Sequence, residues 1–113
     1  MSERVTKRLH DAFDACNQLQ RIGQSRSRSE FLADNILRLA VWKLIEIVGE
    51  ALHQAEKIDP TLETSIPEFR RVVDTRNRIT HGYDSIDFNL LWDIVISRID
   101  PLLDTLESLL IDE

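Results

Sequence analysis

The 113-residue chain is poor in the residues that punctuate or cross-link a fold: three glycines, three prolines, one cysteine and one tyrosine. With 42% hydrophobic and 30% charged residues, that scarcity excludes a disordered segment or a disulfide scaffold and suits a helical globular domain. The lone Cys16 cannot form an internal bridge. On a helical pattern it reads as a small helix-face residue in a reducing compartment, with a reactive thiol as the minor alternative. No run of 18 apolar residues occurs, and Met1-Ser2-Glu3-Arg4 lacks an apolar signal core, so a cytoplasmic protein without membrane contact is expected. Glycine-rich phosphate loops, C-x-x-C and H-E-x-x-H are all missing. His10, His53 and His81 lie too far apart to specify a metal, and nothing calls for a cofactor. His10 and His53 read most simply as exposed helix residues.

Length allows one domain spanning residues 1–113. The net charge of −6 argues against a general nucleic-acid binder, but its distribution is uneven. Residues 1–28 sum to +3, residues 84–113 to −7, and residues 67–83, with Arg70, Arg71, Arg76 and Arg78, to +2. A local basic patch in an acidic protein is therefore possible, and local potential matters more than the total.

Apolar periodicity predicts helices throughout. Val5, Leu9, Ala12, Phe13, Cys16, Leu19 and Ile22 make one stripe over 3–22, with Gly23 as its stop. Gln24–Arg28 reads as a solvated connection, or less simply as an RNA-touching loop. Ser29 then caps a second helix running to about Lys57. Between Ile36 and Val48 that helix is apolar almost all round, which places it at the centre of a bundle and predicts a homodimer to cover it. Lys43, Glu46 and Glu50 interrupt it, either as a solvated stripe or as groups that orient Arg76 or His81. Asp59-Pro60 ends the helix, with Leu62 and Ile66 tucked beneath the connection that follows. Pro67 opens a third helix carrying Phe69, Val72, Val73 and Ile79. Asp87 caps a fourth, Phe88 to Ile99, packed through Leu90, Leu91, Trp92, Ile94 and Val95. Asp100-Pro101 restarts a short fifth, 101–111, with a leucine stripe. The fold class is all-α: an up-and-down bundle of four long helices and a short C-terminal one, dimeric.

The chemistry concentrates in Arg76-Asn77-Arg78-Ile79-Thr80-His81-Gly82-Tyr83. Histidine can exchange a proton near neutrality, and arginine can neutralise a phosphodiester and the charge that builds as it reacts. Together Arg76 and His81 suffice for metal-free RNA cleavage by the RNA's own 2′-hydroxyl. Asn77 can hydrogen-bond phosphate or sugar, Arg78 adds positive charge, and Tyr83 can stack on a base or reach a phosphate. Five residues apart, Arg76 and His81 sit about 140° round a straight helix, so they converge only through a turn or a symmetry mate. A plainer alternative stays open: His81 stabilises its helix end while Arg76 makes a surface ion pair.

This string, followed by Ile86-Asp87 and Leu91-Trp92, resembles the HEPN superfamily in its HepT-like branch. Ile45 to Ala51 is similar to the branch's long second helix, and Ile66-Pro67 to the start of its third; the resemblance spans about residues 30–110. It implies a dimeric endoribonuclease toxin with Arg76 and His81 catalytic and Asn77 as the polar residue after the arginine. It also implies a minimal nucleotidyltransferase antitoxin that adenylylates Tyr83 and so blocks RNA cleavage. The alternative is a non-catalytic helical dimer that binds that partner and is modified by it.

Overall fold

A computed structural model describes residues 1–79 and 85–111, and every element among them is helical. The helices are α1 (Glu3–Ser25), α2 (Arg28–Ala33), α3 (Asn35–Ile58), α4 (Leu62–Ser65), α5 (Phe69–Ile79), α6 (Phe88–Ser97) and α7 (Ile99–Ile111). The all-α class holds, with seven helices among the described residues rather than five. No helix among them is long and apolar enough to cross a membrane.

The extra elements come from breaks that periodicity alone does not reveal. One long helix from Ser29 is in fact two. Ser27, not Ser29, caps α2 through a capping box with Glu30, and Asp34 then takes an extended conformation. The Asp34 carboxylate accepts from the amides of Ile36 and Leu37 and starts α3 afresh. Residues Leu62–Ser65 of the expected connection form the single turn α4, with Leu62 and Ile66 buried as expected. Pro67 and Glu68 form a turn, and α5 begins at Phe69. The restart near the C-terminus comes earlier than Asp100-Pro101. Arg98 alone separates α6 from α7, the Leu102 amide already donates to Arg98, and Asp100 accepts from Gln20 of α1.

Gly23 does not stop α1, which runs two residues further before Arg26 turns extended. A Cβ there would lie 3.0 Å from Val95 Cγ1 on α6, so the glycine serves close packing. The expected stripe of α1 is otherwise buried at Val5, Leu9, Ala12, Cys16 and Leu19, joined by Ala15. Burial pushes the Cys16 thiol up to about 12, which makes it a small core residue rather than a nucleophile. Leu91, Trp92, Ile94 and Val95 of α6 are buried, whereas Leu90 faces outward. Phe31 from α2 stacks on Trp92 with centroids 4.9 Å apart and meets Phe88 edge-on, so the short helix is anchored by one aromatic.

The helix α3 is the hub, packed against α1, α2, α4, α5 and α6. It is not covered all round. The Cα positions span only 19 Å in the thinnest direction, about two helix layers, and a two-layer stack leaves one side of α3 to solvent. Ile36 is 79% exposed, and Leu39 and Ile47, on the same face, are exposed as well.

Candidate functional site

Contacts with α3 fix where α5 lies. The Trp42 indole donates to the Ile79 carbonyl over 3.2 Å at one end, and Glu56 pairs with Arg70 over 2.6 Å at the other. Between them sits Gly49. A Cβ on Gly49 would fall 2.2 Å from Arg76 Cβ and 2.8 Å from its Cγ, so no other residue fits beneath Arg76 as the helices stand. The three contacts pair rising numbers on α3 with falling numbers on α5, so the helices run antiparallel.

Gly49 thus lets the stem of Arg76 lie directly on α3. The guanidinium then meets Glu50, the next residue: Arg76 Nη2 pairs with Glu50 Oε2, and Arg76 Nη1 donates to Asn77 Oδ1 at 2.8 Å. The other carboxylate oxygen of Glu50 accepts from Gln54 Nε2 at 2.7 Å. The Gln54 hydrogen bond, and after it the Arg76 charge, hold the Glu50 carboxyl below its ordinary range despite some burial. The Arg76 side chain is 23% exposed, and it opens onto a pocket of about 380 Å³ with Lys43, Glu46 and Ile47 on one wall and Arg8 and Asp11 on the other.

Of the predicted site residues, Arg76 and Asn77 are brought together. Arg78 faces elsewhere, into a groove of about 620 Å³ between α5 and α6 with Arg70, Arg71 and Asp74. His81 and Tyr83 lie outside the described residues, immediately beyond the end of α5 that Trp42 holds. The interruptions on α3 divide. Lys43 and Glu46 form a solvated pair at 2.8 Å, whereas Glu50 reaches Arg76. His10 is exposed as expected, but His53 is half-buried, with Nδ1 enclosed and making no hydrogen bond among the described residues. Gly49, Gln54 and the Trp42 indole were not singled out by sequence reasoning. The available signal was Trp42 and Gly49, seven residues apart and therefore on one face of α3, where Gly49 is the one glycine.

Comparison with known proteins gives the family of the chain. The family model described as ribonuclease HepT-like matches residues 12–109, and the chain belongs to that family. It is similar to "Putative RNase MJ1380" of Methanocaldococcus jannaschii, 31% identical over 96 residues, covering 84% of this chain and 87% of that one. It is also similar to "Probable ribonuclease HepT" of Thermococcus cleftensis, 28% identical over 101 residues, covering 89% and 91%. No solved structure matches significantly.

The Gly49 contact makes a stability prediction of unusual sign. Alanine inside a helix normally gains about 1 kcal/mol over glycine. Here Gly49→Ala is expected to destabilise the fold by about 1–3 kcal/mol through overpacking against Arg76. Urea unfolding measures it, and a stability equal to or above wild type would contradict the close approach.

Proposed function

We propose that the protein is a metal-independent endoribonuclease toxin whose site is built around Arg76 and His81. The observation that carries the reading is Arg76 itself: a guanidinium held by Glu50 and Asn77 at an open pocket, in a chain of the HepT-like ribonuclease family. In this reading Arg76 binds the scissile phosphate and stabilises the charge that develops on it, while Asn77 orients phosphate or sugar. His81 moves the proton. The 2′-oxygen bonds to phosphorus, the bond to the 5′-oxygen breaks, and a proton passes from the 2′-hydroxyl to base and from acid to the leaving oxygen. Two such transfers ask for two proton carriers, and a symmetric dimer supplies one His81 from each copy.

The exposed face of α3 supports that dimer. Ile36, Leu39 and Ile47 form an apolar stripe that ends at the Arg76 pocket, so a second copy seated on it would set two pockets side by side. Tyr83, two residues after His81, is the proposed acceptor of AMP from a minimal nucleotidyltransferase antitoxin. The added negative charge and bulk would close the site to RNA.

One observation favours a second reading, a non-catalytic helical dimer that binds the nucleotidyltransferase: the Arg76 charge is already answered by Glu50. Cleavage decides between them. Purified protein should cut single-stranded RNA in excess EDTA, with Arg76→Ala and His81→Ala each lowering the rate by about 10²-fold or more. RNA left equally intact by wild type and both variants would leave the interaction module as the function. Incubation with the nucleotidyltransferase and ATP should add AMP mass to the Tyr83 peptide, and an unmodified peptide would remove that role. In sedimentation the wild type should be a dimer at micromolar concentration and Ile36→Glu/Ile47→Glu a monomer. A wild-type monomer would remove the paired cleft.

A further inference from the structure

The Arg76 pocket does not end at α3. It shares Arg8 and Asp11 with a second open pocket of about 740 Å³, which continues between the N-terminal half of α1 and the C-terminal half of α3. The two form one groove leading from Arg76 past Arg8 and Lys57 to Arg4. Across both, the cations are Arg4, Lys7, Arg8, Lys43, Lys57 and Arg76, against the carboxylates of Glu3, Asp11, Glu46 and Glu50. The groove is therefore net positive in a chain whose total is −6.

Its cations fall into two groups. Lys7 is paired with Asp11 at 2.6 Å, Lys43 with Glu46, and Arg76 with Glu50. Arg4, Arg8 and Lys57 line the groove and take part in no ion pair among the described residues. Arg4 and Arg8 stand one turn apart on α1, roughly 6 Å along its axis, flanking the buried stripe of Val5 and Leu9. The helix buries its apolar stripe and turns unneutralised positive charge toward the channel that ends at Arg76.

We propose that this groove is the track for the RNA strand beyond the cleaved bond, with Arg4, Arg8 and Lys57 binding its phosphates. The proposal rests on the ribonuclease reading and extends that same site. A flexible polyanion fits the groove better than a protein surface does. Ile58 is its one large apolar lining residue in the second pocket, and a protein partner would want a buried apolar or aromatic anchor. Of the exposed apolar stripe on α3, Ile36 to Ile47, only Ile47 reaches the groove, at its Arg76 end. The excess of positive charge in residues 1–28 thereby acquires a use: it is placed along the route of the substrate.

Salt dependence of binding reads phosphate contacts directly, because each one releases counterions. The test uses full-length His81→Ala protein, so that the strand stays intact, and a fluorescent single-stranded oligoribonucleotide followed by anisotropy from low to moderate salt. Adding Arg4→Ala/Arg8→Ala should weaken binding several-fold at low salt and reduce the slope of log affinity against log salt by about 1.4, roughly 0.7 per lost single-strand contact. Arg21→Ala/Arg26→Ala, which removes the same charge from exposed positions outside the groove, should keep the parent slope. Unchanged thermal unfolding of the Arg4/Arg8 variant guards against a folding defect, which both exposed positions make simple to check. Parallel slopes for all three proteins would overturn the track and leave the groove to an acidic protein. Failure of the parent to bind RNA at any salt would instead bring down the ribonuclease reading, and the track with it.

Discussion

The structure depends most on one close approach, the passage of Arg76 over Gly49. A side chain at position 49 would meet the β- and γ-carbons of Arg76, parts that cannot swing aside without moving α5. Because nothing is there, α5 settles against α3 and the guanidinium arrives beside Glu50. Glu50 is in turn held by Gln54, one turn further along α3. The arginine is thus aimed by backbone proximity first and by charge second. In the proposed reaction that order would keep the guanidinium in place as it exchanges its carboxylate for a phosphate.

The remaining helices keep α3 fixed while leaving its outer face open. The helix α1 lies along one flank, and α2, anchored through Phe31 on Trp92, ties α3 to α6. Arg28 of α2 pairs with Asp93 of α6 and closes the same corner. Trp42 grips the last described turn of α5. What is not covered is the Ile36–Ile47 stripe and the basic groove beside it. The first is apolar and suits another copy of the chain; the second is charged and suits a polyanion.

Much of this was legible in the residues. Apolar periodicity located the cores of the long helices, and Asp87, Asp59-Pro60 and the Ile66-Pro67 turn marked boundaries near where they fall. The proximity of Arg76 to the buried side of its helix followed from its four-residue step beyond Val72. Two kinds of feature escaped. Breaks made by a single capping carboxylate, such as Asp34, leave the apolar pattern on either side in phase, so one helix and two look alike. By local propensity Gly23 reads as a helix stop and Gly49 carries no signal of its own, whereas both are set by what packs on them from distant chain. Glu50 could not be told from Glu46 for the same reason: only the position of α5 distinguishes the residue that meets Arg76 from the one that meets Lys43.

The central claim is that α3 aims Arg76 through Glu50, and a double-mutant cycle measures it most directly. Stability should be determined for wild type, Glu50→Gln, Arg76→Gln and the double variant by urea unfolding at neutral pH and low salt. The pair is partly exposed, which limits its net worth, so a coupling of about 0.5–1 kcal/mol is predicted, falling as salt is added. Single-variant effects that add to within about 0.3 kcal/mol would show that Glu50 does not hold the arginine, and would contradict the account.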